Sequence, residues 1–252
     1  VLGATLSALW LAARLVPDGE ASATVWFCAV GALATALLVA VFHGLTRTGA
    51  FRLDLAVPIF GILALSAGSA VQRDPRARDV LRRLGAALRD RAGQVVAAPE
   101  AAWYLLLAGL ALFAALRGLV APPFTWDALT YHLMLAGRWV QDGHVATRAA
   151  PDAWTYYQYF PANGDALFAW AMLPLRRDLA VTLVNLPLWA LGTAAAYGLS
   201  REVGLRPRLA ALGALLFASL PAVFGYLSVA YAELTLYATL LCGTLFVARY
   251  LR

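Results

Sequence analysis

Three carboxylates in this chain stand where chemistry is plausible and burial is costly. Asp127 follows an apolar run, in PPFTWDALTYHL. Asp165 opens one, in FPANGDALF, and Glu233 opens another, in SVAYAELTLY. A carboxylate at the edge of an apolar segment tends to face a cavity rather than lipid or packed side chains. Three of them on one level supply a general base and a site for a metal ion or an acceptor group. Tyr131, His132, Arg138 and Arg117 lie close to Asp127 in sequence and add donors for an anionic group. Each also has a plainer reading. Asp127 caps a helix, Asp165 caps one after Asn163-Gly164, Glu233 pairs with an arginine or reaches the headgroups, and His132 is a hydrogen-bonded interface residue.

The elements that position them are read from composition. Hydrophobic residues make up 62% of the 252 and charged residues 13%, about half the charged share of a soluble domain. The apolar residues recur in blocks near the ~20 residues that cross a bilayer. Seven spans are expected, at 2–15, 23–45, 55–71, 101–120, 179–199, 209–227 and 234–250. A further apolar piece, 162–175, is too short for an ordinary span. The fold class expected is all-α: a polytopic transmembrane helix bundle with short interfacial helices in an external loop. Residues 1–100 form an N-terminal extension, and 101–252 a core whose external loop is 121–161.

Every basic side chain besides the histidines is arginine, and the formal net charge is +6. The arginines cluster in short loops between apolar runs, the positive-inside pattern of membrane proteins, not a nucleic-acid footprint. Segments 72–100 and 200–208 and the chain end should therefore face the cytoplasm. The count then puts 121–161 outside, provided 162–175 does not cross. Arg47, Arg52, Arg176 and Arg177 are mild violations. Within 72–100, Val80, Leu81, Leu84, Ala87 and Leu88 recur at helical spacing, as in an amphipathic helix on the inner leaflet. Cys28 and Cys242 lie inside apolar runs and suit small buried residues. The opening at Val1, inside an apolar run, suggests a piece of a longer protein.

In the external loop, Pro122 and Pro123 end the fourth span. Thr125 or Asp127 can cap the helix that follows. A regular helix there places Leu129, Leu133, Ala136 and Val140 on one side and Asp127, Tyr131 and Arg138 on the other, with Gly143 closing it. Asp142 and Asp152 are mid-loop and solvated. Trp126, Trp139, Trp154, Tyr156, Tyr157, Tyr159 and Phe160 suit a membrane interface or a sugar-binding wall.

The pieces PPFTWDALTYHL, YFPANGDALF, AAAYGLSREVGLRPRLAALGALLFASLPAV and AYAELTLY, in this order, resemble GT-C-type membrane glycosyltransferases. Protein O-mannosyltransferases and lipid A aminoarabinose transferases are among these, and they use a polyprenyl-phosphate sugar. The resemblance covers about half of the chain, 121–252. It implies an acid required for transfer at Asp127, a second acid at Asp165, and a third at Glu233, where Asp is more usual. It implies that 162–175 stays at the outer face. The three spans before 101 have no counterpart in a minimal member.

What the resemblance implies is inverting transfer from a polyprenyl-phosphate-linked sugar to a glycan, lipid or protein acceptor, at the external face of the cytoplasmic membrane. Asp127 is the base, with Asp165 as the second catalytic acid. Tyr131, His132, Arg138, Arg117 and Glu233 bind substrate. A divalent metal ion is a possible cofactor, with Asp165 or Glu233 as ligand. The absence of a Gly-rich phosphate loop speaks against a cytoplasmic nucleotide-sugar donor. A transporter or flippase of lipid-linked sugar, or a non-catalytic membrane scaffold, are the other readings. A transporter would place its charges nearer the bilayer midplane.

Overall fold

The computed structural model describes residues 2–16, 22–97, 101–121, 123–145, 157 and 160–251, without the side chains of 88, 91–97 and 101–104. All regular structure among them is helical. The helices are α1 (Leu2–Leu15), α2 (Ala23–Arg47), α3 (Leu53–Arg73), α4 (Pro75–Ala97) and α5 (Ala101–Val120). A π turn (Ala128–His132) leads into α6 (Leu133–Asp142), then α7 (Asn163–Met172). A 3-10 turn (Val181–Val184) precedes α8 (Asn185–Glu202). Then come α9 (Pro207–Ser219), α10 (Pro221–Gly225), a 3-10 turn (Tyr226–Ser228) and α11 (Glu233–Tyr250).

Among the described residues, two helices, α2 and α3, are long and apolar enough to cross a membrane. A third is added if α9, α10 and the turn after them make one span, bent by 56°. Helix α5 fills the expected fourth span, and the remaining expected spans form shorter, more polar or broken helices. Helix α1 has 14 residues, and α11 has 18 that include Glu233 and Arg249. The expected fifth span starts late. Residues 173–180 are turns, and the α-helix begins only at Asn185. The expected sixth span breaks at Leu220, whose extended backbone precedes Pro221; proline lacks the N–H needed to continue a helix and disfavours helical backbone before it. Helix α7, with 10 residues, is about 15 Å long, half the ~30 Å of a bilayer core.

Helix α2 runs antiparallel to α8, while α1 runs parallel to α3 and α8 to α11, and the molecule has two ends. At one, the α2–α3 turn meets the close of α6: Phe51 donates its N–H to the Gly143 carbonyl at 3.0 Å. Gly143 has φ 73°, and a Cβ there would lie 3.2 Å from the Gly49 carbonyl oxygen, so glycine is required. At the other end, Arg14 pairs with Asp74 and Arg249 with Glu202, both at 2.9 Å. Helix α4 lies at this second end. Its Ala77 and Val80 are buried with Leu9, Trp26 and Val71, while Leu81 is half exposed. It therefore packs on α1–α3 rather than only resting on a surface.

A core at the α6 end joins Phe42, Phe51, Trp139, Phe168 and Met172. A second joins α2, α8 and α11 through Cys28, Leu188, Leu191, Leu234 and Leu245. The outward faces stay apolar: Ile62, Leu65, Phe113, Leu212, Leu240 and Val247 are all largely exposed. So continuous an apolar exterior is unusual for a protein surrounded by water and marks a membrane or protein contact.

Candidate active site

The chain leaves α5 through a tight turn, in which Thr125 donates its N–H to the Pro123 carbonyl. The next helix starts at Trp126. Neither Thr125 nor Asp127 caps it: Asp127 already has helical backbone and makes no side-chain cap bond, and Thr125 Oγ1 is buried without a partner. The π turn from Ala128 to His132 inserts one residue into this helix. That extra residue rotates the faces. Leu129, expected on one side with Leu133, Ala136 and Val140, is half exposed while those three are buried, and Tyr131, expected opposite, is buried with them. Arg138, expected beside Asp127 and Tyr131, is exposed and lines a separate groove with Leu129, Met134, Arg176 and Arg177.

Helix α7 brings the second acid. Its Gly164 lies against Ala232, whose Cβ would be 2.4 Å from any Cβ added at 164. This close approach seats the start of α7 beside the start of α11, where Glu233 stands. Asp165 is 1% exposed and meets the 6%-exposed His132, with Nδ1 to Oδ1 at 2.5 Å. The loop before Glu233 is held by the fully buried Asn185. Its Nδ2 donates to the carbonyls of Tyr226 and Val229, both at 2.8 Å, and more weakly to that of Tyr231.

Asp127, Glu233 and Asp165 all lie near enough to Tyr131 for their charges to act on it. Burial raises the Tyr131 phenol well above its ordinary pKa, and the negative charges of Asp127, Glu233 and Asp165 raise it further. Burial also raises the Asp165 carboxyl, against the opposing hydrogen bond and charge of His132. Two polar atoms here are buried with no hydrogen-bond partner among the described residues, His132 Nε2 and Glu233 Oε2. Such atoms are costly unless a ligand or water meets them. With Nδ1 on the carboxylate, Nε2 is the free ring nitrogen, an acceptor when the imidazole is neutral and a donor when it is charged.

Aromatic rings wall the cluster. Tyr157 stacks on Tyr131 with centroids 4.6 Å apart, and Phe160 meets Tyr131 edge-on. Tyr231 lies 6.0 Å from His132 and 5.6 Å from Tyr226. The structure thus brings together Asp127, Tyr131, His132, Asp165 and Glu233. It does not bring Arg138 to them, and Arg117 is exposed in the last turn of α5. Asp152, Trp154, Tyr156 and Tyr159 lie outside the described residues. Among the described residues no three His, Cys, Asp or Glu side chains group as metal ligands. Sequence reasoning missed Asn185 and Tyr231. The only signal for Asn185 was a lone amide inside the apolar run VTLVNLPLW. Comparison with family models, curated proteins and solved structures finds no match to this chain.

The arrangement combines a half-buried carboxylate, a buried Asp–His pair and a half-buried acid with one buried, unsatisfied oxygen, beside aromatic faces. Aromatic faces take the apolar side of a polyol, and convergent polar atoms fix its hydroxyls. A carboxylate within reach of a hydroxyl can take its proton.

Proposed function

We propose that this chain is a polytopic membrane glycosyltransferase of the GT-C type, moving a sugar from a polyprenyl-phosphate donor to an acceptor hydroxyl. The observation that carries this reading is the buried Asp165–His132 pair beside the start of α11, where Glu233 stands, with Asp127 one helical turn before Tyr131. The arginine-rich opposite end, with α4 and Arg201, Arg206 and Arg208, faces the cytoplasm in this reading. The acids then lie at the external face of the cytoplasmic membrane. Their place at one end favours an enzyme over a transporter, whose charges belong near mid-height.

In the reaction, the acceptor oxygen attacks the anomeric carbon while the bond from that carbon to the phosphate oxygen breaks. The electron pair leaves with the phosphate, and the acceptor's proton goes to Asp127. One displacement inverts the anomeric centre. The lipid phosphate is anionic and leaves without a general acid, but it needs donors. The Tyr131 hydroxyl and His132 Nε2 fill that role here, since Arg138 lies in another groove and Arg117 is exposed on α5. Asp165 positions His132, and Glu233 orients substrate hydroxyls. A divalent ion, if one is used, would take Asp165 or Glu233 together with substrate oxygens.

The test is Asp127→Asn, assayed for transfer from a polyprenyl-phosphate sugar with detergent melting as the folding control. Asn keeps the size of Asp and cannot take the proton. A loss of about 10²–10⁴-fold is expected with unchanged melting, the usual size of a general-base contribution. Near-wild-type turnover would remove Asp127 from the mechanism and favour a scaffold.

A further inference from the structure

A groove of about 580 Å³ lies on α6, separate from the acid cluster. One wall is α6 itself, with Met134, Arg138 and Gln141. The other is the turn after α7, with Arg176, Arg177 and Asp178. The buried Leu133 and Met172 close the floor. Gly137 lets the walls approach, since a Cβ there would lie 3.5 Å from the Met172 methyl.

The charge of this groove is unbalanced. Among the described residues, three guanidinium groups line it against one carboxylate, that of Asp178. All three arginines are exposed, and none makes a side-chain ion pair or hydrogen bond with another described residue. Elsewhere the pattern is different: Arg52 is taken up by Asp54 through two hydrogen bonds, Arg14 by Asp74 and Arg249 by Glu202. The positive-inside rule does not call for arginine here either, because in the reading above the arginine-rich cytoplasmic end is the opposite one. A cleft lined mainly by one sign of charge gathers counter-ions of the other.

Apolar surface adjoins the charges. Leu129 is 51% exposed on the groove, and Leu175 and Leu179, on either side of the arginine turn, are 56% and 48% exposed. An occupant therefore meets guanidinium groups and bare leucines together, which suits an anion carried on an apolar body. Guanidinium groups donate paired hydrogen bonds to phosphate oxygens. A head that adds an ammonium brings positive charge to a positive groove, whereas a glycerol head does not. We propose that this groove docks an anionic phospholipid of the α6-side leaflet, its phosphodiester among Arg138, Arg176 and Arg177 and its acyl chains against the neighbouring leucines. The proposal rests on the membrane part of the reading above and not on the acids or the transfer chemistry.

The test offers the purified full chain in detergent an equimolar mixture of phosphatidylglycerol and phosphatidylethanolamine, and native mass spectrometry reads what is retained. An arginine near a membrane surface strengthens the hold on an anionic lipid by about fivefold. The wild type should therefore retain phosphatidylglycerol over phosphatidylethanolamine by about tenfold, several arginines being partly offset by Asp178. Arg138→Gln and Arg177→Gln should each lower the ratio by about three- to fivefold, and Asp178→Asn should raise it by about the same factor. Arg208→Gln, which removes an exposed charge at the opposite end, should leave it unchanged. A wild-type ratio near one, an unchanged ratio in either groove arginine variant, an unchanged or lower ratio in Asp178→Asn, or an effect of Arg208→Gln as large as that of Arg138→Gln would each overturn the site. Soluble glycerol 3-phosphate in large excess should leave the lipid bound; displacement would assign the groove to a soluble anion and overturn lipid docking. All four substituted side chains are exposed, and melting curves exclude misfolded variants. Recovery of the wild type in the membrane fraction checks the membrane premise separately.

Discussion

Two buried aspartates at opposite ends of the molecule have opposite fates. At the α4 end, Asp74 joins α3 to α4. Its Oδ1 accepts the Arg76 N–H at 3.0 Å and its Oδ2 accepts from Arg14 Nε at 2.9 Å. Burial would raise its carboxyl, but the Arg76 N–H, the Arg14 hydrogen bond and the Arg14 charge outweigh this and hold it below the ordinary 3.8. At the α6 end, Asp165 faces His132 and is raised above the same value. The first acid is used up in fixing a helix junction. The second is kept in a costly state beside two unsatisfied polar atoms, as is common where a fold serves a reaction.

Asp165→Asn tests this contrast most severely. The variant keeps an oxygen for the His132 Nδ1–H and loses the charge. Transfer is expected to fall by about 10²-fold, the lower end of acid–base contributions, with little change in melting. A change in melting alone would make Asp165 as structural as Asp74. Asn185→Ala comes next. It removes the donor from the Tyr226 and Val229 carbonyls, and a buried acceptor left unmade costs about 1–3 kcal/mol. Chemical denaturation should show that loss, and KM should rise with it because the loop carries Glu233. A stability loss with unchanged kinetics would separate the loop from the site.

The smallest effect is on pH. Asp74 has a lowered native pKa, so its contribution to stability is present above 3.8 and fades as pH falls through the native value. Asp165 has a raised one, so its contribution is present below 3.8 and fades as pH rises through the native value. Melting differences between wild type and Asp74→Asn, and between wild type and Asp165→Asn, should therefore run in opposite directions across acid pH. Parallel slopes would erase the distinction between the two ends.

The helices were largely legible because apolar blocks and their boundaries are local properties. Helices α1 and α5 occupy the spans read from the sequence, and α7 is the short piece expected not to cross. The break at Leu220 was also written locally, in Pro221, but a hydropathy run averages over a single proline. The site was legible only in part. The three acids stand out in the sequence by their positions at the edges of apolar runs. The Asp165–His132 pair spans 33 residues, and no pattern of spacing encodes it. Arg138 and Leu129 were misplaced because regular 3.6-residue periodicity was assumed across Ala128–His132, where the structure has a π turn. Asn185 acts through backbone carbonyls more than forty residues away, which leave no mark in side-chain spacing.

That π turn acts as a phase shifter. One residue of an α-helix subtends about 100° of arc, so the single insertion sets the azimuth of Trp126 and Asp127 against everything from Leu133 to Asp142. Deleting one residue between Ala128 and His132 would leave a good α-helix with its hydrogen bonds intact. The residues on either side would then keep their phase, because the wider π turn absorbs the residue removed, whereas straightening the turn at constant length would turn Asp127 by about 100° relative to the Trp139 and Val140 anchors. The segment therefore has a fixed reading frame in three dimensions. Substitutions on its exposed Leu129 are cheap, while a change that makes these same residues a regular α-helix re-aims the carboxylate.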